Sequence, residues 1–210
     1  MELVDGRSLA HVLHEGEVAT AKAIGWSLQI CDALAAAHAC GIVHRDLKPD
    51  NVLIEKRGRI VIADFGIARP INTVSEAQPE GIAGTLDYLA PEQLSSDAPP
   101  DARSDIYALG VLLFELFTRE LPFTGPHPMH RALARTTKPP RDPAEVVPAI
   151  DPRLRAVILR CLRRDLNERF QRVGDVSAAL SVLATRETVQ PSSPRDARPP
   201  RERTSTLASG

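Results

Sequence analysis

The sequence predicts a mainly α-helical domain with one small β-hairpin, and three stretches carry that prediction. From about Glu17 to Cys40, Ile24, Leu28, Cys31, Ala35 and His38 fall on one stripe at helical spacing. From Asp105 to Thr118 the chain is apolar almost all round, with Ile106, Leu109, Val111, Leu112, Leu113 and Phe114 among its members. A helix without a polar face belongs at the centre of a protein. Between these two, Val52-Leu53-Ile54 and Ile60-Val61-Ile62 are short β-type runs on either side of Lys56-Arg57-Gly58-Arg59, the pattern of a hairpin.

The remaining elements follow from local signals. Leu3 and Val4 form an extended apolar stub, and Asp5-Gly6 is a turn signal. A short helix is expected around Ser8–His14 with Ser8 as its N-cap. Gly41 is placed to end the long helix. Residues 64–104 are rich in Pro, Gly, Ser and Asp and show little periodicity, and a long irregular stretch inside a domain is usually functional. Later helices are expected at Met129–Thr136, Pro152–Leu162 and Val173–Thr185, with Asp151 and Pro152 in the N-cap and first-turn positions. Residues 1–185 are read as one domain. Residues 186–210, rich in Arg, Pro and Ser, are read as a disordered tail.

Composition narrows the function. With 26 basic and 27 acidic residues the net charge is −1, so no global field draws the chain to nucleic acid or to an anionic membrane. No apolar run reaches the roughly 18 residues of a membrane span. Cys31, Cys40 and Cys161 make no disulfide framework and no metal-ligand spacing. They are expected to be small buried hydrophobes in a reducing cytoplasm.

The chemistry concentrates in three motifs. His44-Arg45-Asp46-Leu47-Lys48-Pro49-Asp50-Asn51 lies between the long helix and the hairpin. Asp64-Phe65-Gly66 follows the hairpin directly, and Ala90-Pro91-Glu92 comes further along the irregular stretch. In this order the three resemble the protein kinase signature set. Gly84-Thr85-Leu86-Asp87-Tyr88-Leu89-Ala90-Pro91-Glu92-Gln93 is similar to the end of a kinase activation segment, and Asp101–Phe123 to the central helix of the kinase C-lobe. Met1-Glu2-Leu3-Val4-Asp5-Gly6 resembles the hinge between the lobes. The style of these motifs is that of bacterial eukaryote-like Ser/Thr kinases.

The resemblance implies an ATP- and Mg²⁺-dependent transfer of phosphoryl groups to a protein substrate. Such transfer needs in-line positioning and neutralisation of developing charge. It makes Asp46 the acceptor of the hydroxyl proton and Lys48 a point charge on the transferring phosphate, with Thr85 bonding near both. Asn51 and Asp64 become the Mg²⁺ ligands, hard oxygens of the type that ion takes. Glu2, Val4 and Leu53, with Lys48 and Asn51, become nucleotide contacts. Lys48 and Thr85 point to Ser/Thr substrates. His44 is expected to orient its loop, Asp105 to anchor that loop through backbone N–H groups, and Glu92 to pair with Arg169. Thr73 and Ser75 are candidate phosphate acceptors facing Arg45.

The same resemblance marks what the sequence lacks. There is no Gly-rich loop, and none of the four lysines, Lys22, Lys48, Lys56 and Lys138, sits on a strand before the long helix. The chain is therefore expected to hold the hinge and C-lobe without an N-lobe, nearly inactive alone. Its exposed upper face is expected to be covered by an N-lobe or a partner protein. A non-catalytic protein-binding module is the alternative.

Overall fold

The computed structural model describes residues 5–65, 86–94 and 100–187. Among them the first elements are β1 (Gly6–Ser8), α1 (Leu9–Glu15) and α2 (Thr20–Ala39), followed by a 3₁₀ turn (Pro49–Asn51) and the strands β2 (Val52–Glu55) and β3 (Ile60–Ile62). The later helices are α3 (Pro91–Leu94), α4 (Ala102–Thr118), α5 (Pro128–Thr137), α6 (Pro143–Val146), α7 (Pro152–Cys161) and α8 (Val173–Glu187). Ser8 caps α1 as expected, accepting from His11 N–H at 3.2 Å. Asp151 caps α7 in the same way through Arg153 N–H at 2.8 Å. The long helix begins at Thr20 rather than Glu17, and Gly41 follows it at φ +73°.

The hairpin is present, with Val52 opposite Ile62 and Ile54 opposite Ile60, but it has a third strand. Residues 6–8 pair antiparallel with β2, Gly6 opposite Glu55 and Ser8 opposite Leu53. The Asp5-Gly6 turn signal is thus the start of a strand. Gly-Arg-Ser has no branched or aromatic residue to announce it. Gly6 is needed for close approach, because a Cβ there would lie 2.4 Å from Ile54 O.

One core joins α1, α2, β2, β3 and the helices α4 to α8. Helix α4 runs through it, and Ile106, Leu109, Leu112, Leu113 and Phe114 are each fully buried. Every such side chain contributes about 1.5–3 kcal/mol by leaving water. Helix α2 packs on α8, on α4 and against β3, while α7 packs on α4. Gly110 marks the closest approach of α4 and α7, since a Cβ there would stand 2.6 Å from Cys161 Cβ. Helix propensity alone would make Gly110→Ala stabilising by about 1 kcal/mol. Overpacking reverses the sign, and we expect a net loss of about 1–3 kcal/mol. A lower urea midpoint checks this, whereas a higher one would mean that the two helices separate freely.

Three expectations need correcting. Cys31 and Cys161 are buried, and burial pushes the Cys31 thiol up to about 12, but Cys40 is exposed. It sits where α2 ends, on the side away from the core stripe. The stretch 64–104 also contains the short helix α3 and the start of α4, capped by Asp101 through Arg103 N–H at 2.7 Å. Helix α8 continues to Glu187, past the boundary placed at 185. Residues 188–210, with the tail reading, lie outside the described residues.

Candidate active site

The loop between α2 and the 3₁₀ turn is built around a buried carboxylate. Asp105, in the first turn of α4, is 0% exposed. A charge so placed must be matched by hydrogen bonds. His44 N–H donates to Asp105 Oδ2 and Arg45 N–H to Oδ1, each at 2.8 Å, which is the anchoring expected of Asp105. A third partner was not legible in the sequence: His38 Nε2, from the last turn of α2, lies 2.7 Å from Oδ2. The three bonds hold Arg45 at φ +68°, a left-handed conformation costly for a residue with a Cβ. Asp105→Asn would turn one acceptor into a donor facing an N–H. Loss of a hydrogen bond to a charged group costs about 1.5–3 kcal/mol. We expect that penalty at least, with faster amide exchange at His44 and Arg45. Unchanged exchange there would remove Asp105 as their anchor.

His44 has the structural, loop-orienting contacts expected of it. It is buried, its Nε2 lies 2.9 Å from Ala63 O, and its Nδ1 accepts from Asp46 N–H at 3.2 Å. Together these contacts place a proton on Nε2 and a lone pair on Nδ1. Its ring also meets Phe65 edge-on at 4.7 Å.

Three of the four proposed reactive side chains are in direct contact. Lys48 Nζ lies 3.1 Å from Asp46 Oδ2. Asn51 Nδ2 donates to Asp46 O at 2.8 Å and to Asp46 Oδ2 at 3.2 Å. With its amide hydrogens so used, Asn51 offers Oδ1 as an oxygen donor. Asp64 joins through the backbone. It follows Ala63, whose N–H donates to Asn51 O at 2.8 Å, and precedes Phe65 on the His44 ring. Asp64 is exposed at φ +59°, so left-handed residues border the loop at both Arg45 and Asp64. The Asn51 amide oxygen and the Asp64 carboxylate, brought near through the Ala63 N–H bond to Asn51 O, are donors of the type that suits a hard divalent cation keeping water and phosphate oxygens as its other ligands. Leu53 is half-buried on the face of β2 opposite Val52 and Ile54. Glu2, Val4, Gly66, Thr73, Ser75 and Thr85 lie outside the described residues.

Residues 86–94 are tied to this loop and to the helices below it. Gln93, to which the sequence assigned no role, donates from Nε2 to Arg45 O at 3.0 Å while its Oε1 accepts from Ala90 N–H at 2.9 Å. Tyr88 OH donates to Glu115 on α4. Burial, opposed by that bond, raises the Glu115 carboxyl above its ordinary range. Asp87 receives Arg131 of α5 in a bidentate pair at 2.7 and 2.6 Å. Glu92 and Arg169 meet as expected, Nη1 to Oε1 and Nη2 to Oε2, each at 2.8 Å.

A loop hung from the central helix presents a carboxylate, a lysine and an amide in contact, and a second carboxylate follows just past the end of β3, the donor set expected of a phosphotransferase. Comparison with known proteins places the chain in the same class: residues 1–180 match the family model for the protein kinase domain, and the chain belongs to the protein kinase family. It is 37% identical to the serine/threonine-protein kinase PknB of Mycolicibacterium smegmatis, over 99% of this chain and 33% of that protein. It is 38% identical to the probable serine/threonine-protein kinase SCO3848 of Streptomyces coelicolor, over 81% of this chain and 26% of that protein. PknB of Mycobacterium tuberculosis is also 38% identical, over 86% of this chain and 29% of its own length. The chain thus spans about a third or less of the curated relatives it matches. No described helix is long and apolar enough to cross a membrane.

Proposed function

We propose that this chain supplies the hinge and C-lobe of a serine/threonine protein kinase, which moves the γ-phosphoryl group of ATP to a Ser or Thr hydroxyl of a protein. The observation that carries the reading is the Asp46, Lys48 and Asn51 cluster, hung on Asp105 and bordered by the left-handed Arg45 and Asp64. In this reading the substrate oxygen attacks the γ-phosphorus, the bond to the β,γ-bridging oxygen breaks, and ADP leaves. Asp46 takes the hydroxyl proton. Lys48 sets its ammonium against the phosphoryl oxygens as they become the locus of charge. Asn51 Oδ1 and the Asp64 carboxylate would hold Mg²⁺, which neutralises phosphate charge when bound.

Leu53, on the half-buried face of β2, would lie under the nucleotide base, and Glu2 and Val4 would be further nucleotide contacts. The free thiols fit a reducing, cytoplasmic location. The test is phosphate transfer from Mg-ATP to a generic protein substrate, by the chain alone and by the chain joined to a kinase N-lobe. Transfer that disappears in Asp64→Ala supports the reading. No transfer in either form, with protein binding retained, would make the chain a kinase-like binding module instead.

A further inference from the structure

A cavity of about 570 Å³ opens beside α5, between its C-terminal turn, the connection at 138–142, α7 and the turn at 163–168. Among the described residues, none of those proposed as catalytic lines it. Its volume is that of a small-molecule site. Phe123, Leu159 and Leu162 give it an apolar side.

Its charges do not balance. Arg135 forms part of the wall with a side chain only 1% exposed. Its Nη atoms donate to the carbonyls of Leu86, Asp87 and Leu89, which are neutral acceptors. The Asp87 carboxylate is 3.9 Å away and already holds Arg131 in a bidentate pair. Arg135 Nε is buried with no hydrogen-bond partner among the described residues. Burying a guanidinium without a full counter-charge is costly. Burial accordingly pulls Arg135 below the ordinary arginine range.

The rim does not supply the missing anion. Asp142 is engaged by Arg155 at 2.6 Å, and Glu168 faces Arg163 at 3.5 Å. Arg164 donates to a backbone oxygen, that of Thr136, and the Lys138 ammonium has no ion pair among the described residues. Among the described residues, Arg135, Lys138 and Arg164 therefore stand against Asp165 as the one lining carboxylate without an ion pair.

We propose that this cavity binds a small organic phosphate monoester. The dianionic head would lie toward Arg135, Lys138 and Arg164, and the apolar body against Phe123 and Leu162. The site is independent of the phosphotransfer reading. Because Arg135 also holds the carbonyls of Leu86, Asp87 and Leu89, an occupant would be felt by the segment leading into Ala90-Pro91-Glu92.

Phenyl phosphate is the probe, titrated into the intact chain and followed by NMR, with inorganic phosphate and phenol as half-ligands. We expect saturable binding at about 1 mM or tighter, with shifts centred on Phe123 and Leu162 and each half-ligand at least about tenfold weaker. Lys138 and Arg164 are exposed, so Lys138→Gln and Arg164→Gln should fold normally. Each should weaken phenyl phosphate by roughly fivefold to tenfold through loss of a charge-assisted contact. No saturation by about 10 mM would overturn the proposal. So would shifts centred on Asp46 and Lys48, or affinity unchanged in both variants.

Discussion

Arg169→Leu is expected to destabilise the protein by about 3–5 kcal/mol, the cost of stranding one charge of a buried pair. In a domain of this size that lowers Tm by about 6–20 °C. The expectation rests on how much the one guanidinium does. Arg169 is 0% exposed, and besides Glu92 it donates to the backbone oxygens of Arg163 at 2.5 Å, Arg103 at 3.0 Å and Arg164 at 3.2 Å. It also lies 4.9 Å over the Tyr107 ring, whose buried OH has no hydrogen-bond partner among the described residues. Leucine would leave Glu92 with the Ser104 hydroxyl at 2.8 Å and its own backbone contact but no cation, and strip a partner from three carbonyls. Replacing both charges, as Glu92→Leu with Arg169→Leu, should recover part of the loss, because the uncompensated carboxylate is then gone. A double variant no better than Arg169→Leu would show that the carbonyl bonds, rather than the ion pair, dominate.

The same pair sets an acid limit. Burial alone would raise the Glu92 carboxyl, but Arg169, its own backbone contact and Ser104 outweigh burial and bring it below its ordinary 4.5. A carboxyl depressed in the folded state binds fewer protons there than in the unfolded chain. Its stabilisation is thus complete above about pH 4.5 and is lost as pH falls through the folded value. Glu92→Gln should accordingly flatten the fall in Tm below pH 4.5. A curve as steep as that of the unsubstituted protein would assign acid unfolding to other carboxylates.

What the sequence disclosed follows from the range of each signal. Helix α4 was legible because thirteen of its residues are buried, so the apolar run reports its place in the core directly. The Ser8 and Asp151 caps were legible because capping is local, written within three residues. Strand β1 was not: its pairing partners lie some fifty positions away, and the feature that matters is the absence of a side chain at Gly6. The site divides the same way. The contiguous run from His44 to Asn51 brought Asp46, Lys48 and Asn51 to notice together, and they are in contact. His38 and Gln93 carry no such mark. One was a member of an apolar stripe and the other the end of a motif. Their roles arise only when α2 meets α4 and when α3 reaches the loop.

Asp46→Asn is expected to slow phosphoryl transfer by about 10²–10⁴, the range for losing a positioned acid or base. The substitution is nearly isosteric, which makes it a test of chemistry rather than of fold. Asp46 is partly exposed, and its position is set by its neighbours: the N–H donates to His44 Nδ1, and the carbonyl accepts from Asn51. Neither bond involves the carboxyl group, so the loop should persist in the variant, with amide exchange at His44 and Arg45 unchanged. The carboxylate's own partners are Lys48 Nζ at 3.1 Å and Asn51 Nδ2 at 3.2 Å, both on Oδ2. An asparagine can keep one oxygen toward those donors, and its NH₂ then takes the place of Oδ1, where a base is needed and a donor is useless. The loss should therefore appear in kcat with KM for ATP little altered, because nothing in this arrangement gives Asp46 a share in holding the nucleotide. The measurement is steady-state transfer by the chain joined to a kinase N-lobe, with Asp105→Asn as a companion. That companion should disturb amide exchange as well as rate, since it acts by releasing the loop. Turnover in Asp46→Asn equal to that of the unsubstituted protein would take the proton-accepting role away from Asp46.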